Sequence, residues 1–151
     1  MKNEHPTQTA LLQKISDIIE QARRAVAHTA NLAMVQTYFE IGRTEAIRTL
    51  GITYREMEDM GIEMPVTEID MRFLRPARYD DLIRVRTTLR HLPDNHRIEF
   101  HQEIFNDKGK LITSGKVTLY FLEKTTKKRA CMPEALRERL APFFPPAMTQ
   151  V

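Results

Sequence analysis

Only one cysteine, Cys131, occurs in the 151 residues, so no intrachain disulfide can form. A reducing compartment fits, and the cytoplasm is the expected location. Long apolar runs are missing: no stretch approaches the length of a membrane span. The first nine residues, MKNEHPTQT, carry no apolar signal core. No Gly-rich phosphate loop and no Ser/His/Asp signature is present, and no cofactor is expected. Strong charge of one sign is lacking too. The formal charge is +3 and the pI about 9.1. That mild bias suits an anionic small ligand and makes nucleic acid an unlikely partner.

The chain is long enough for one domain with a small appendage and for a core that needs no metal or disulfide. Residues 1–9 read as a disordered start, with Thr9 able to cap a helix. Leu11, Leu12, Ile15, Ile18, Ile19, Ala22 and Val26 then recur at helical spacing. His28 to Asn31 is less periodic and reads as a turn or a continuation. A second helical face runs Val35, Tyr38, Phe39, Gly42, Ala46, Ile47, Leu50. Gly42 inside it costs about 1 kcal/mol against alanine, which close packing on another backbone would offset. Gly51 suits a helix C-terminus, and Thr53 with Glu56 has the form of a capping box.

Beyond Gly61 the period changes to that of strands. Extended stretches are expected over 66–73, 83–89, 98–104 and 111–122, with Pro93-Asp94-Asn95 and Asn106-Asp107-Lys108-Gly109 as turns. Pro133 opens a short helix to about Leu140. Helices first and antiparallel strands after give an α+β class, a sheet wrapped on one long helix.

The segment YFEIGRTEAIR, the LG–xxY–xxE connection, FLRPARYDDLIRVRT, and FHQEIFNDKGKLITSGKVTLYFLEKTTKKRACMP together resemble the 4-hydroxybenzoyl-CoA thioesterase family. The likeness is strongest to its broad-specificity bacterial acyl-CoA branch. It covers 36–145 and implies a hotdog fold, short-chain or aromatic acyl-CoA substrates, and a homodimer or homotetramer. A second stretch, KISDIIEQARRAVAHTANLAMVQTYFEIGR, resembles the N-terminal helical domain of predicted PD-(D/E)xK nucleases of the YhcG kind. The expected organisation is a helical segment at 1–35 in place of the usual first strand, the thioesterase-like domain at 36–145, and a tail at 146–151.

Thioester hydrolysis needs a carboxylate and donors for the oxyanion. The resembled family carries an Asp about fifteen positions before the glutamate of YFE. Here that position is Ala25, with His28 where a glycine would stand, and Asp17 sits on the polar side of a helix. Glu40 is the catalytic candidate, with an ion pair to Arg43 or a dimer contact as the bland alternative. Glu45 reads as surface. Arg75, Arg78, Lys124 and Lys127 are candidates for coenzyme A phosphates, the lysines within EKTTKKR, which nets +3. Asp80 and Asp81 read as turn residues. His91, His96 and His101 are spaced by five, which suits no metal site. Cys131 reads as a small packing residue, and Tyr38, Phe39 and the helical Met residues as core. The alternatives to an acyl-CoA thioesterase are a catalytically impaired scaffold or binding module, and a nucleic-acid-associated protein.

Overall fold

The computed structural model describes residues 8–77 and 80–145. They fall into two compact units, Met1–Thr37 and Tyr38–Val151. One helix, α1 (Gln8–Thr49), belongs to both. The turn considered at His28–Asn31 does not form. Neither proline nor glycine occurs between Gln8 and Ile41, and the alanines favour helix, so nothing local stops propagation. Because α1 already includes Gln8, Thr9 is not its cap. In the first unit the apolar stripe from Leu11 to Ala22 is solvent-facing: Leu12 and Ile18 are 60% and 65% exposed. Met34 is exposed there too, against its expected place in the core.

In the second unit, α1 ends at Thr49 and Gly51 takes the positive φ (80°) of a helix C-terminus. Arg139 Nη1 donates to the Leu50 carbonyl at 3.2 Å. The capping box forms at α2 (Tyr54–Asp59): Glu56 N donates to Thr53 Oγ1 at 3.1 Å, and Thr53 N to Glu56 Oε2 at 2.7 Å. Six strands follow: β1 (Ile62–Glu63), β2 (Val66–Phe73), β3 (Arg84–Leu89), β4 (Arg97–Phe105), β5 (Leu111–Tyr120) and β6 (Leu122–Glu123). They make an antiparallel sheet of order β2-β5-β4-β3 and a small β1–β6 pair. Helix α3 (Glu134–Leu140) buries Leu136 and Leu140.

Alternation on β4 sends Ile98, Phe100, Gln102 and Ile104 to the buried face. They meet Phe39 and Ile47 of α1 with Val117, Leu119 and Phe121 in one core. The closest approach of helix and sheet lies over one row of register partners: Thr87 beside Gln102, Gln102 beside Gly115, Gly115 beside Met71. A Cβ on Gly115 would stand 2.7 Å from Phe39 Cε2 and 2.9 Å from the Asp70 carbonyl oxygen. On Gly42 it would meet Thr87 Oγ1 at 2.7 Å and Val85 Cγ1 at 3.0 Å. Gly42 thus packs on side chains of β3 and β4, not on the backbone expected. Met60 and Cys131 are exposed, so neither packs in the core as expected.

Candidate active site

The row beneath α1 carries a buried polar cluster. Gln102 is fully buried. Its Nε2 donates to the Phe39 carbonyl at 2.8 Å and to Thr87 Oγ1 at 3.0 Å; its Oε1 accepts from Arg43 Nη1 at 3.0 Å. Both ends of the amide are therefore used, which is the condition for tolerating it in an apolar layer. Arg43 is only 5% exposed. Burial lowers its pKa, while Tyr54 and Glu40 act to keep it charged. The Tyr54 hydroxyl lies beside that guanidinium without reaching hydrogen-bond geometry, and is a buried oxygen with no partner. Burial raises its pKa against the pull of Arg43.

Glu40, one turn before Arg43, is exposed and acts electrostatically on Arg43 and Tyr54. Among the described residues Glu40 and Arg43 form no ion pair at contact distance; Glu40 acts on Arg43 electrostatically, and Arg43 donates to Gln102. Brought together are thus a solvent-accessible carboxylate, a buried cation and an unused hydroxyl. Such a set offers a base or nucleophile beside donors for a developing negative charge. Gln102 and Tyr54 are not site candidates by sequence, and Arg43 enters there only as a partner for Glu40. The one signal was an amide standing in the apolar phase of Ile98, Phe100, Ile104.

The other candidates lie elsewhere. Arg75 is exposed and its Nη1 donates to the Leu111 carbonyl at 2.8 Å. Lys127 adopts a positive φ (57°) and its Nζ pairs with Glu63 at 2.6 Å. Lys124 is exposed in the turn after β6, its main-chain N bonded to the Gly61 carbonyl. Arg78 lies outside the described residues. Glu45 pairs with Arg48 at 2.7 Å on the exposed side of α1, and Asp80 takes a left-handed turn conformation, φ 67°. His96 stands edge-on to Tyr120, with ring centres 4.9 Å apart. No described helix is long and apolar enough to cross a membrane.

Known proteins resemble this chain in sequence and in fold. YneP of Bacillus subtilis (provisionally named an acyl-CoA thioesterase) is 30% identical over 74 residues, 49% of this chain and 53% of its own. The 1,4-dihydroxy-2-naphthoyl-CoA hydrolase of Thermosynechococcus vestitus is 26% identical over 93 residues, 61% of this chain and 63% of its own. The chain thus spans less than two thirds of either curated relative. The crystal structure of DHNA-CoA thioesterase from Staphylococcus aureus superposes with a TM-score of 0.67 at 28% identity, covering 72% of this chain and 74% of that one. Its hotdog fold is the fold found here. Residues 25–140 match the family profile described as the thioesterase-like superfamily, and the chain belongs to that superfamily.

Proposed function

We propose that this protein binds and slowly hydrolyses short-chain or aromatic acyl-CoA thioesters, with Glu40 as the working carboxylate, in the manner of the 4-hydroxybenzoyl-CoA thioesterase branch. The observation that carries the reading is the superfamily match across 25–140. The relatives named for naphthoyl-CoA thioesters favour an aromatic acyl group. Glu40 is the exposed carboxylate electrostatically linked to the Arg43–Tyr54 pair. Hydrolysis is slow because Ala25 stands where the resembled family carries its Asp, and alanine can neither attack a carbonyl nor take a proton. Loss of such a group costs roughly a hundredfold to ten-thousandfold in rate.

Residues 36–145 form the functional domain in this reading, with 1–35 as an added helical segment and 146–151 as a tail. A cytoplasmic homodimer or homotetramer is the working state: β2 and β3 are both sheet edges, and exposed edges are usually covered. Arg75, Arg78, Lys124 and Lys127 remain the basic groups assigned to coenzyme A by sequence, although Arg75 and Lys127 must release internal partners first. The nuclease-like start adds no nucleic-acid function, since Lys14, Arg23 and Arg24 are nearly balanced by Asp17 and Glu20.

A free-thiol assay on purified protein with benzoyl-CoA and butyryl-CoA tests the proposal. Slow turnover is expected, falling at least about a hundredfold further in Glu40→Gln while coenzyme A still binds. Unchanged turnover in Glu40→Gln removes Glu40 from the chemistry. Binding with no turnover at all establishes the impaired binding module instead.

A further inference from the structure

Strand β4 outruns its neighbour β3. Leu89 pairs with Phe100, the last β3–β4 partners, whereas Arg97, Ile98 and Glu99 pair only with β5. The connection from Arg90 to His96 and this unmatched stretch enclose a cleft of about 160 Å³. Pockets that take a whole small ligand run to roughly 300–1,000 Å³, so this one suits a single group of a larger molecule. Arg90, Arg97, His91 and His101 line it against Asp94 and Glu99, and Glu99 is met from β5 by Lys116 at 3.7 Å. Neither the Arg90 nor the Arg97 guanidinium hydrogen-bonds or ion-pairs with any described residue. They differ in this from Arg75 and Lys127, each of which already holds one bond inside the protein.

The electrostatics of the cleft agree with its lining. His101 is held below the usual histidine pKa by burial first and then by Arg90, with Lys116 and His91 adding and Glu99 opposing. After burial, Arg90 is the strongest charge acting on the imidazole. Two arginines that line one concave site and have no side-chain partner among the described residues are suited to phosphate oxygens, which accept charge-assisted and bidentate bonds.

We propose that this cleft is a phosphate subsite, in which Arg90 and Arg97 hold one phosphate group of the nucleotide portion of an acyl-CoA thioester. The identity of the ligand rests on the function proposed above; the phosphate chemistry of the cleft does not. His91 and His101 line the same cleft, and His101 adds a donor when it protonates. Glu99, paired with Lys116, and Asp94 are the opposing charges of the cleft.

Calorimetric titrations of the whole chain with coenzyme A, 3′-dephospho-coenzyme A and inorganic phosphate test this, with the His101 ring resonance followed in parallel by NMR. Wild type is compared with Arg90→Gln and Arg97→Gln, each first shown to unfold cooperatively. Coenzyme A should bind roughly tenfold more weakly to each variant, and its addition should raise the His101 titration midpoint in wild type. A loss equal for coenzyme A and its dephospho form places the diphosphate in the cleft; a loss confined to coenzyme A places the 3′-phosphate there. Undiminished coenzyme A binding in both variants overturns the subsite and leaves the thioester reading standing. Inorganic phosphate that shifts His101 in a protein that ignores coenzyme A keeps the subsite and removes the thioester reading. Silence in every arm overturns both.

Discussion

Replacing Gln102 with Leu isolates the buried polar cluster. The substitution roughly keeps the volume and removes three hydrogen bonds: one from Arg43 at 3.0 Å, one to the Phe39 carbonyl at 2.8 Å and one to Thr87 at 3.0 Å. The bond from the charged guanidinium accounts for about 1.5–3 kcal/mol, and the two amide bonds for about 1 kcal/mol each. The new apolar contacts return about 1 kcal/mol. The dominant consequence is that Arg43 keeps its charge at 5% exposure with no hydrogen-bond partner. A net loss of about 3 kcal/mol follows, a large share of the roughly 5–15 kcal/mol that holds a typical domain. The melting temperature should fall by about 10 °C. Arg43→Met alone strands the Gln102 carbonyl oxygen and should cost about 2 kcal/mol. The double variant removes both halves of the pair and should lose no more than about 2 kcal/mol, because matched apolar replacements relieve the unpaired group. Urea unfolding of all four proteins closes the cycle. Losses that add to within about 0.5 kcal/mol would show that the two side chains are not coupled and refute the reasoning.

Two further outcomes rest on particular contacts. Gly115→Ala should destabilise by about 1–3 kcal/mol in thermal unfolding, because its Cβ would meet Phe39 Cε2 at 2.7 Å and the fixed Asp70 carbonyl at 2.9 Å; an unchanged melting temperature would contradict that approach. His101 has a folded pKa below the usual 6.5, so on acidification the unfolded chain takes the proton first. Stability should therefore fall as pH drops below about 7 and stop falling once the folded pKa is passed. His101→Gln should flatten that window in urea titrations, and an unaltered slope would remove His101 as its source.

Local rules made much of this fold readable. The alternation Ile98, Phe100, Ile104 marked β4 and its buried face, since strand side chains alternate whatever lies above them. The Thr53–Glu56 box and the positive φ of Gly51 and Gly109 followed from atoms a few residues apart. The family likeness was carried by contiguous strings and needed no coordinates. What the sequence alone could not decide was where each polar group finds its partner. Gln102 read as one more alternating position, yet it joins Arg43 across 59 residues because the β4 register sets it under the helix beside Gly115. Helical spacing offered Arg43 the nearby Glu40, yet its hydrogen bond is the long-range one to Gln102. Nothing local singles out Arg90 and Arg97; only the β3–β4 register, which leaves 97–99 without a β3 neighbour, sets them around one cleft. Periodicity determines which face a residue takes, because that is a property of the local backbone. Tertiary register decides which faces meet, and with it which charges are spent inside the protein and which are left for a ligand.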